Sequence, residues 1–101
     1  MIYHEASFTV VAGREKEALE RLARVVEYRN KKMSGSRAML LQAIDGHKNR
    51  VRYIDSHESL AAWEEASSAL ADDAEWNRLN AEGRELTEMD SVEHYFWQVV
   101  A

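Results

Sequence analysis

Several residue types that define whole classes of protein are missing or scarce in this chain. There is no cysteine and no proline, and glycine occurs only four times in 101 residues. Without cysteine there is no disulfide bond, no thiolate ligand for zinc or an iron–sulfur cluster and no thiol nucleophile. No run of about 18 to 20 apolar residues is present, and the N-terminus lacks the features of a signal peptide. We therefore expect a cytoplasmic protein with no membrane partner.

Positive charge is also in short supply. Thirteen Lys and Arg residues stand against eighteen Asp and Glu residues, which leaves a net charge of −5 at pH 7. Phosphate backbones repel a chain of this charge, so no nucleic-acid partner is expected. The motifs GxxxxGK[ST], GxGxxG, HExxH and GxSxG are absent as well. Their absence excludes P-loop NTPases, dinucleotide-binding enzymes, zinc proteases and α/β-hydrolases.

The remaining composition is that of an ordinary globular protein. Hydrophobic residues make up 46% of the chain and charged residues 31%, which disfavours disordered, collagen-like and coiled-coil structures. A length of 101 residues is enough for one hydrophobic core and too short for two. We expect one domain that covers residues 1–101.

Hydrophobic periodicity predicts four strands and three helical segments. Alternation with period two marks the strands, and apolar residues at spacings of three and four mark the helices. Ser56 and Asp72 are the residues expected to cap the second and third helices. The predicted strands cover residues 2–11, 37–44, 51–55 and 87–100, and the predicted helices cover about 15–32, 58–70 and 73–84.

The order βαββα(α)β predicts an α+β, ferredoxin-like fold. Its four-stranded antiparallel sheet has the order 4-1-3-2, with the helices on one face. In the last strand Tyr95 and Trp97 lie on one side and Phe96 and Val100 on the other, whereas a sheet with one wet face alternates with polar residues. We therefore expect a homodimer whose sheets face each other, since a two-fold interface uses one patch twice.

Two histidines are the first candidates for acid–base chemistry. His4 and His94 share the predicted helix-facing side of strands one and four. If these strands pair over their full lengths, His4 lies opposite Gln98 and His94 opposite Phe8, with the two rings about 13 Å apart. No metal site is therefore expected. Each ring is either a hydrogen-bonded structural group or a base, and His94 is the preferred base.

The remaining candidates each have a structural and a functional interpretation. Trp63 and Trp76 either fill the core beneath the sheet or form the wall of a pocket. Tyr53 either packs across strands or donates a hydrogen bond inward. His47 in the predicted hairpin loop and His57 beside a helix cap are expected to be exposed, with no role in a site.

The helical half of the chain resembles NIPSNAP proteins. Residues 59–66, SLAAWEEA, and 70–79, LADDAEWNRL, form an Ala-rich helix, an acidic turn and a Glu-Trp helix similar to the pattern of that family. The resemblance covers the whole chain and extends to the dimeric α/β-barrel superfamily, which includes antibiotic-biosynthesis monooxygenases and heme-degrading monooxygenases. The heme-degrading branch uses a first-strand Asn, a helical Trp and a downstream His ligand. Only the Trp has a match, in Trp63, so heme is not expected.

The resemblance implies a dimeric α/β barrel with a small-molecule pocket between the sheet and the helices. It leaves two functions open. One is a monooxygenase or isomerase that needs no cofactor and acts on an aromatic or polyketide-like molecule. The other is a non-catalytic dimeric module of NIPSNAP type that binds a small ligand or a partner protein. The residues assigned to catalysis are His94, His4 and Tyr53, and those assigned to ligand binding are Trp63, Trp76, Phe8 and Phe96.

Overall fold

The structure, a computed structural model, describes residues 1–101 in full. Its strands and helices follow the predicted order, and a short 3₁₀ turn precedes the last strand. No helix combines the length and apolarity needed to cross a bilayer. The elements are β1 (Ile2–Thr9), α1 (Glu15–Lys32), β2 (Ala38–Gln42), β3 (Arg50–His57), α2 (Leu60–Ala71), α3 (Ala74–Arg84), the 3₁₀ turn (Met89–Ser91) and β4 (Glu93–Gln98).

The sheet confirms the predicted ferredoxin-like topology. All three neighbouring pairs are antiparallel, and the strand order is β2-β3-β1-β4. The last strand is shorter than the predicted 87–100, because the chain turns where the Ser91 hydroxyl accepts a hydrogen bond from the Thr9 N–H at 2.9 Å. Only an isolated bridge between Val10 and Thr87 remains of the predicted first part of that strand.

The hydrophobic core lies between the helices and one face of the sheet. Val10, Ala18, Val51 and Leu86 form a buried cluster, against which Phe8 packs. Even-numbered residues of β1 point toward the helices, as the period-two pattern predicts. Residues directly opposite each other in neighbouring strands point to the same face. The β3 and β4 residues paired with the even residues of β1 therefore also face the helices.

The other face of the sheet, called here the outer face, has no helix against it. Large apolar side chains are exposed there, with Met39 50%, Tyr95 41% and Trp97 57% accessible. Glu5 is nevertheless buried on this face, where it accepts a hydrogen bond from Trp97 Nε1 at 3.2 Å and lies 3.6 Å from Arg52 Nε. The outer face thus combines exposed apolar side chains with charged ones, among them Glu5, Arg52 and Glu93.

Both predicted helix caps were wrong, each for a local reason. Ser56 still belongs to β3, where its N–H bonds to the Arg37 carbonyl, and Ser59 caps α2 by accepting from the Ala62 N–H at 3.1 Å. Asp72 has helical backbone angles at the end of α2. Asp73 is extended, which is the usual conformation of an N-cap, and it caps α3 by accepting from the Trp76 N–H at 3.0 Å.

Replacing Asp73 by Ala is expected to lower the Tm by about 4–8 °C, the usual range for losing one cap from a domain of this size. Asp73 also accepts a hydrogen bond from the Tyr28 hydroxyl at 2.6 Å, which ties α1 to the start of α3. Thermal unfolding followed by circular dichroism measures the change. Asp72→Ala is the matched control, and an equal loss in both variants would contradict the assignment of the cap.

Candidate active site

The pairing of β1 with β4 brings the two candidate histidines together. His4 is opposite Phe96 and Ala6 is opposite His94, so the register differs by two residues from the predicted one. A two-residue shift keeps every side chain on its face but changes its neighbours. The predicted separation of about 13 Å was therefore wrong, since Nε2 of His4 lies 3.0 Å from Nδ1 of His94. The reason is that β4 ends at Gln98 rather than near residue 100.

The two imidazole rings meet edge to edge. Their planes differ by only 12° and their centroids are 5.3 Å apart. The facing nitrogens are 3.0 Å apart. The rest of the 5.3 Å between the centroids is about the distance from each centroid to its own nitrogen, so the two nitrogens lie on the line between the centroids. The rings therefore lie nearly in one plane, with one nitrogen of each aimed at the other. This geometry is that of a hydrogen bond and not of a face-to-face stack.

Asp55 holds the other side of the His4 ring. It is opposite His4 in the pairing of β1 with β3, and its Oδ1 accepts a hydrogen bond from His4 Nδ1 at 3.1 Å. Burial alone would raise the pKa of the Asp55 carboxyl. The hydrogen bond from His4 and the positive charge of Arg29 outweigh this effect and lower the pKa below its usual value. Asp55 is therefore ionised at neutral pH.

The ionised carboxylate determines which nitrogens carry protons along the chain. A carboxylate can only accept, so Nδ1 of His4 must be the donor to Asp55. When His4 is neutral its second nitrogen is an acceptor, so Nε2 of His4 then accepts from Nδ1–H of His94. The same rule leaves Nε2 of His94 without a proton. The Asp55–His4–His94 chain, named the relay below, therefore ends in a free basic nitrogen.

His94 is suited to take up a proton at neutral pH. Partial desolvation lowers the pKa of His94, although the residue is exposed. The ring is consequently neutral at pH 7 and has its basic nitrogen available.

A cavity of about 590 Å³ lies against the relay, between the sheet and helices α2 and α3. Its walls are largely aromatic, and Trp63 meets Phe96 edge to face with ring centroids 4.7 Å apart. Ser67 and Asn77 add hydroxyl and amide groups on the helical side. This volume falls within the range of small-molecule sites, about 300–1,000 Å³. The cavity therefore combines aromatic walls with the histidines of the relay and a few other polar groups.

Four of the other candidate residues line the cavity, and one does not. Trp63, Trp76, Phe96 and Tyr53 are all wall residues. Phe8 packs instead against the buried core cluster. The sequence placed Phe8 and Phe96 on the inner face and left the face of Tyr53 open, but it could not tell which end of that face held the cavity.

Tyr53 acts as a donor to the relay rather than as a base. Its hydroxyl donates to Asp55 Oδ2 at 3.1 Å. Burial raises the pKa of Tyr53, and the adjacent Asp55 carboxylate raises it further, so the phenol stays neutral. Its role is to stabilise the Asp55 charge.

The sequence interpretation missed two charged residues and misplaced one histidine. Asp55 lies on the apolar face of β3 together with Val51, and an acid on such a face was the available signal. Arg29 interrupts the apolar stripe of α1 in the same way. Its Nη2 lies 3.2 Å from Asp55 Oδ2. His57 was expected to be exposed but is only 4% accessible, because β3 continues through it, whereas His47 is exposed in the loop as expected.

Stability is expected to fall as the pH drops below about 6.5. The folded pKa of His94 is lower than its ordinary value of 6.5, so the unfolded chain binds this proton more readily and acid favours unfolding. Asp55 acts at lower pH. Its lowered folded pKa stabilises the protein at neutral pH, and this stabilisation is lost only as the pH falls from 3.8 through the folded pKa. Urea unfolding at about pH 5 and pH 7 measures the first loss. His94→Gln should remove it, and a wild-type stability that does not change over this range would contradict it.

No group of three or more His, Asp and Glu side chains is arranged to hold a metal ion. Two histidines and one carboxylate do meet at the relay. They contact one another in a chain, however, and do not point their ligand atoms at one shared metal position. The relay is therefore interpreted as a path for protons.

Comparisons with known proteins agree with this architecture. A NIPSNAP domain protein of unknown function from Burkholderia xenovorans is 17% identical, with a TM-score of 0.84 over 100% of this chain and 96% of that one. SnoaB, a cofactor-independent oxygenase from Streptomyces nogalater solved in a mutant form, is 20% identical, with a TM-score of 0.74 over 99% and 93%. A candidate antibiotic biosynthesis monooxygenase from Nitrosomonas europaea is 12% identical, with a TM-score of 0.79 over 100% of both chains.

These identities are low enough that the likeness to the solved structures shows a shared fold. A search of curated proteins finds no significant match. The family assignment comes instead from sequence, because the NIPSNAP family model matches residues 3–100. That match spans nearly the whole chain, and the chain therefore belongs to the NIPSNAP family.

Proposed function

We propose that this protein is a homodimeric, cofactor-independent monooxygenase acting on an aromatic or polyketide-like molecule. The observation that carries the proposal is the relay, which ends in a free nitrogen of His94 beside an aromatic-walled cavity. Aromatic walls bind a flat ring, and a positioned base can ionise an acidic C–H or O–H group on it. The substrate class is therefore a planar molecule with one ionisable group.

Proton removal is the step in which the protein takes part directly. Nε2 of His94 accepts the substrate proton, and the resulting positive charge is shared with His4 and offset by Asp55. Burial of Asp55 strengthens this electrostatic support, since charges in a poorly solvated site interact more strongly than in water. The relay thus stabilises the ion pair formed by the protonated His94 and the substrate anion.

The substrate anion supplies the electrons for the oxidation. At an activated CH₂ group the overall change is R₂CH₂ + O₂ → R₂C=O + H₂O, in which one oxygen atom enters the product and the other leaves as water. The carbon loses four electrons and dioxygen gains them, so no bound cofactor is needed. The likeness in fold to SnoaB, a cofactor-independent oxygenase, supports this chemistry.

The outer face supports the homodimer. All three helices cover the opposite face, and only 13 of 101 residues are buried, which is a small interior for a chain of this length. Exposed aromatic and aliphatic side chains on the uncovered face are the usual mark of an interface. A second copy presents the same apolar strip, so a two-fold axis through the outer face would cover both strips at once.

Replacing Trp97 by Glu is expected to weaken the dimer by about 30-fold to 1,000-fold in Kd, the usual range for an interface Trp. The new carboxylate also lies beside Glu5, which would lose its hydrogen bond from Trp97. Sedimentation velocity over a range of concentrations measures the change. Leu60→Glu on α2 replaces an equally exposed apolar residue and should leave the dimer intact. A wild-type monomer, or equal effects of both variants, would contradict the interface.

The enzyme assignment is tested by oxygen uptake. The purified protein is incubated with a panel of hydroxylated anthrones and naphthols in ¹⁸O₂. The expected result is catalysed oxygen consumption with one ¹⁸O atom in each product molecule, at the newly formed carbonyl, and the second ¹⁸O atom released as water. Tight binding of panel members without oxygen uptake would overturn the oxygenase and would favour the alternative, a non-catalytic module that binds small ligands or partners.

A further inference from the structure

Arg29 is the most deeply buried charged residue of the chain. It lies on α1 and is only 1% accessible. Its Nη2 lies 3.2 Å from Asp55 Oδ2, donates to the Ser36 hydroxyl at 2.6 Å and is 3.4 Å from His57 Nε2. The same nitrogen therefore makes all the polar contacts of the guanidinium with its surroundings. The contact with Asp55 connects α1 to the relay.

The remaining donors of Arg29 are unpaired. Nε and Nη1 are buried and have no hydrogen-bond partner. Unpaired buried donors are destabilising, and an apolar side chain at this position would avoid them. An apolar residue would therefore be the more stable choice only if Asp55 were replaced as well, because Asp55 alone would be a buried carboxylate without its partner. The contact that distinguishes Arg29 from an apolar residue is its charge beside Asp55.

We infer that Arg29 is a positioning residue, which acts on the base His94 through Asp55 and His4. By holding Asp55 as a carboxylate, Arg29 forces Nδ1 of His4 to keep its proton and so leaves Nε2 of His94 free. If Asp55 became protonated, it could donate its own proton, and the direction of the relay would no longer be fixed. This inference rests on the proposed function for its catalytic meaning, but its structural basis is the Arg29–Asp55 contact.

Charged and titratable groups face Asp55 from β1, from α1 and from its own strand β3. β1 supplies His4, which also links His94 of β4 to Asp55, and α1 supplies Arg29. Tyr53 and His57 come from the strand of Asp55 itself, with His57 Nε2 3.4 Å from Asp55 Oδ2. Arg29 is the one member of this set whose charge does not depend on pH, because a guanidinium is not deprotonated in proteins. It therefore supplies a constant field, whereas the histidines titrate.

The experiment is a titration of the Asp55 carboxyl by ¹³C NMR in the wild-type protein without substrate. Arg29→Gln keeps polar contacts but removes the charge, and the Asp55 midpoint is expected to rise by about one to three pH units, the usual effect of losing an adjacent arginine. Arg29→Lys keeps the charge and should restore most of the wild-type midpoint. Arg24→Gln, on the exposed face of the same helix, is the matched control and should change nothing.

Two results would overturn the inference. One is an Asp55 midpoint in Arg29→Gln that equals the wild-type value. The other is failure of both Arg29→Gln and Arg29→Lys to fold, which would make Arg29 a structural residue. The titration needs no substrate, so its result does not depend on the oxygenase assignment. If the Asp55 midpoint shifts but the protein shows no turnover, Arg29 is supported as the residue that positions the relay. Only the catalytic use of the relay is then rejected.

Discussion

Replacing His94 by Gln is expected to lower kcat/KM by about 10²–10⁴-fold, the usual contribution of a general base. Glutamine is close to histidine in length and can still bond to His4, but its amide does not accept a proton in water. Substrate binding should change little, because the aromatic walls of the cavity remain. The loss should therefore appear in kcat, and steady-state oxygen uptake with the best member of the substrate panel measures it.

His47→Gln is the matched control for this prediction. The same substitution is made there at an exposed loop residue, far along the chain from the relay, and kcat/KM should remain at the wild-type value. A kcat in His94→Gln within a factor of about two of wild type would contradict the role of His94 as the base. A change confined to KM would assign His94 to binding alone.

Replacing Asp55 by Asn is expected to lower kcat by about 10²–10⁴-fold although His94 is untouched. The Asn amide can donate its N–H to Nδ1 of His4, which then becomes the acceptor. Nε2 of His4 must in turn carry the proton and donate it to Nδ1 of His94. The proton of His94 then lies on Nε2, the atom that should be free. The wrong tautomer of a catalytic histidine has an effect of this size in hydrolases with an Asp–His pair.

Two measurements separate this effect from a general loss of structure. Circular dichroism and urea unfolding should show that Asp55→Asn still folds, and Asp72→Asn at an exposed acid should leave kcat unchanged. Asp55→Asn should also remove the dependence of activity on Arg29, since Arg29 acts through the Asp55 charge. Full activity in a folded Asp55→Asn protein would contradict the relay.

The fold could be predicted because it depends on patterns that are local in sequence. Alternation in residues 2–11 and the apolar stripe of residues 15–32 each identify an element without knowledge of its neighbours. The order of these elements then admits few topologies. The resemblance of residues 59–79 to NIPSNAP proteins gave the same answer independently.

The site could not be predicted because it depends on register. A shift of two residues between β1 and β4 leaves the faces unchanged, so hydrophobic alternation is equally satisfied by either pairing. Only one pairing brings His4 within hydrogen-bond distance of His94. Asp55 and Arg29 join them from β3 and α1, and neither belongs to a motif. An isolated charge on an apolar face was the only signal that either residue gave.

The relay is tested most directly by the protonation state of its two rings. Long-range ¹H–¹⁵N NMR of the wild-type protein at pH 7 distinguishes imidazoles that carry the proton on Nδ1 from those that carry it on Nε2. The account predicts that both His4 and His94 carry it on Nδ1, and that Asp55→Asn moves both protons to Nε2. A wild-type His94 with its proton on Nε2 would contradict the account, because no free base would then face the cavity.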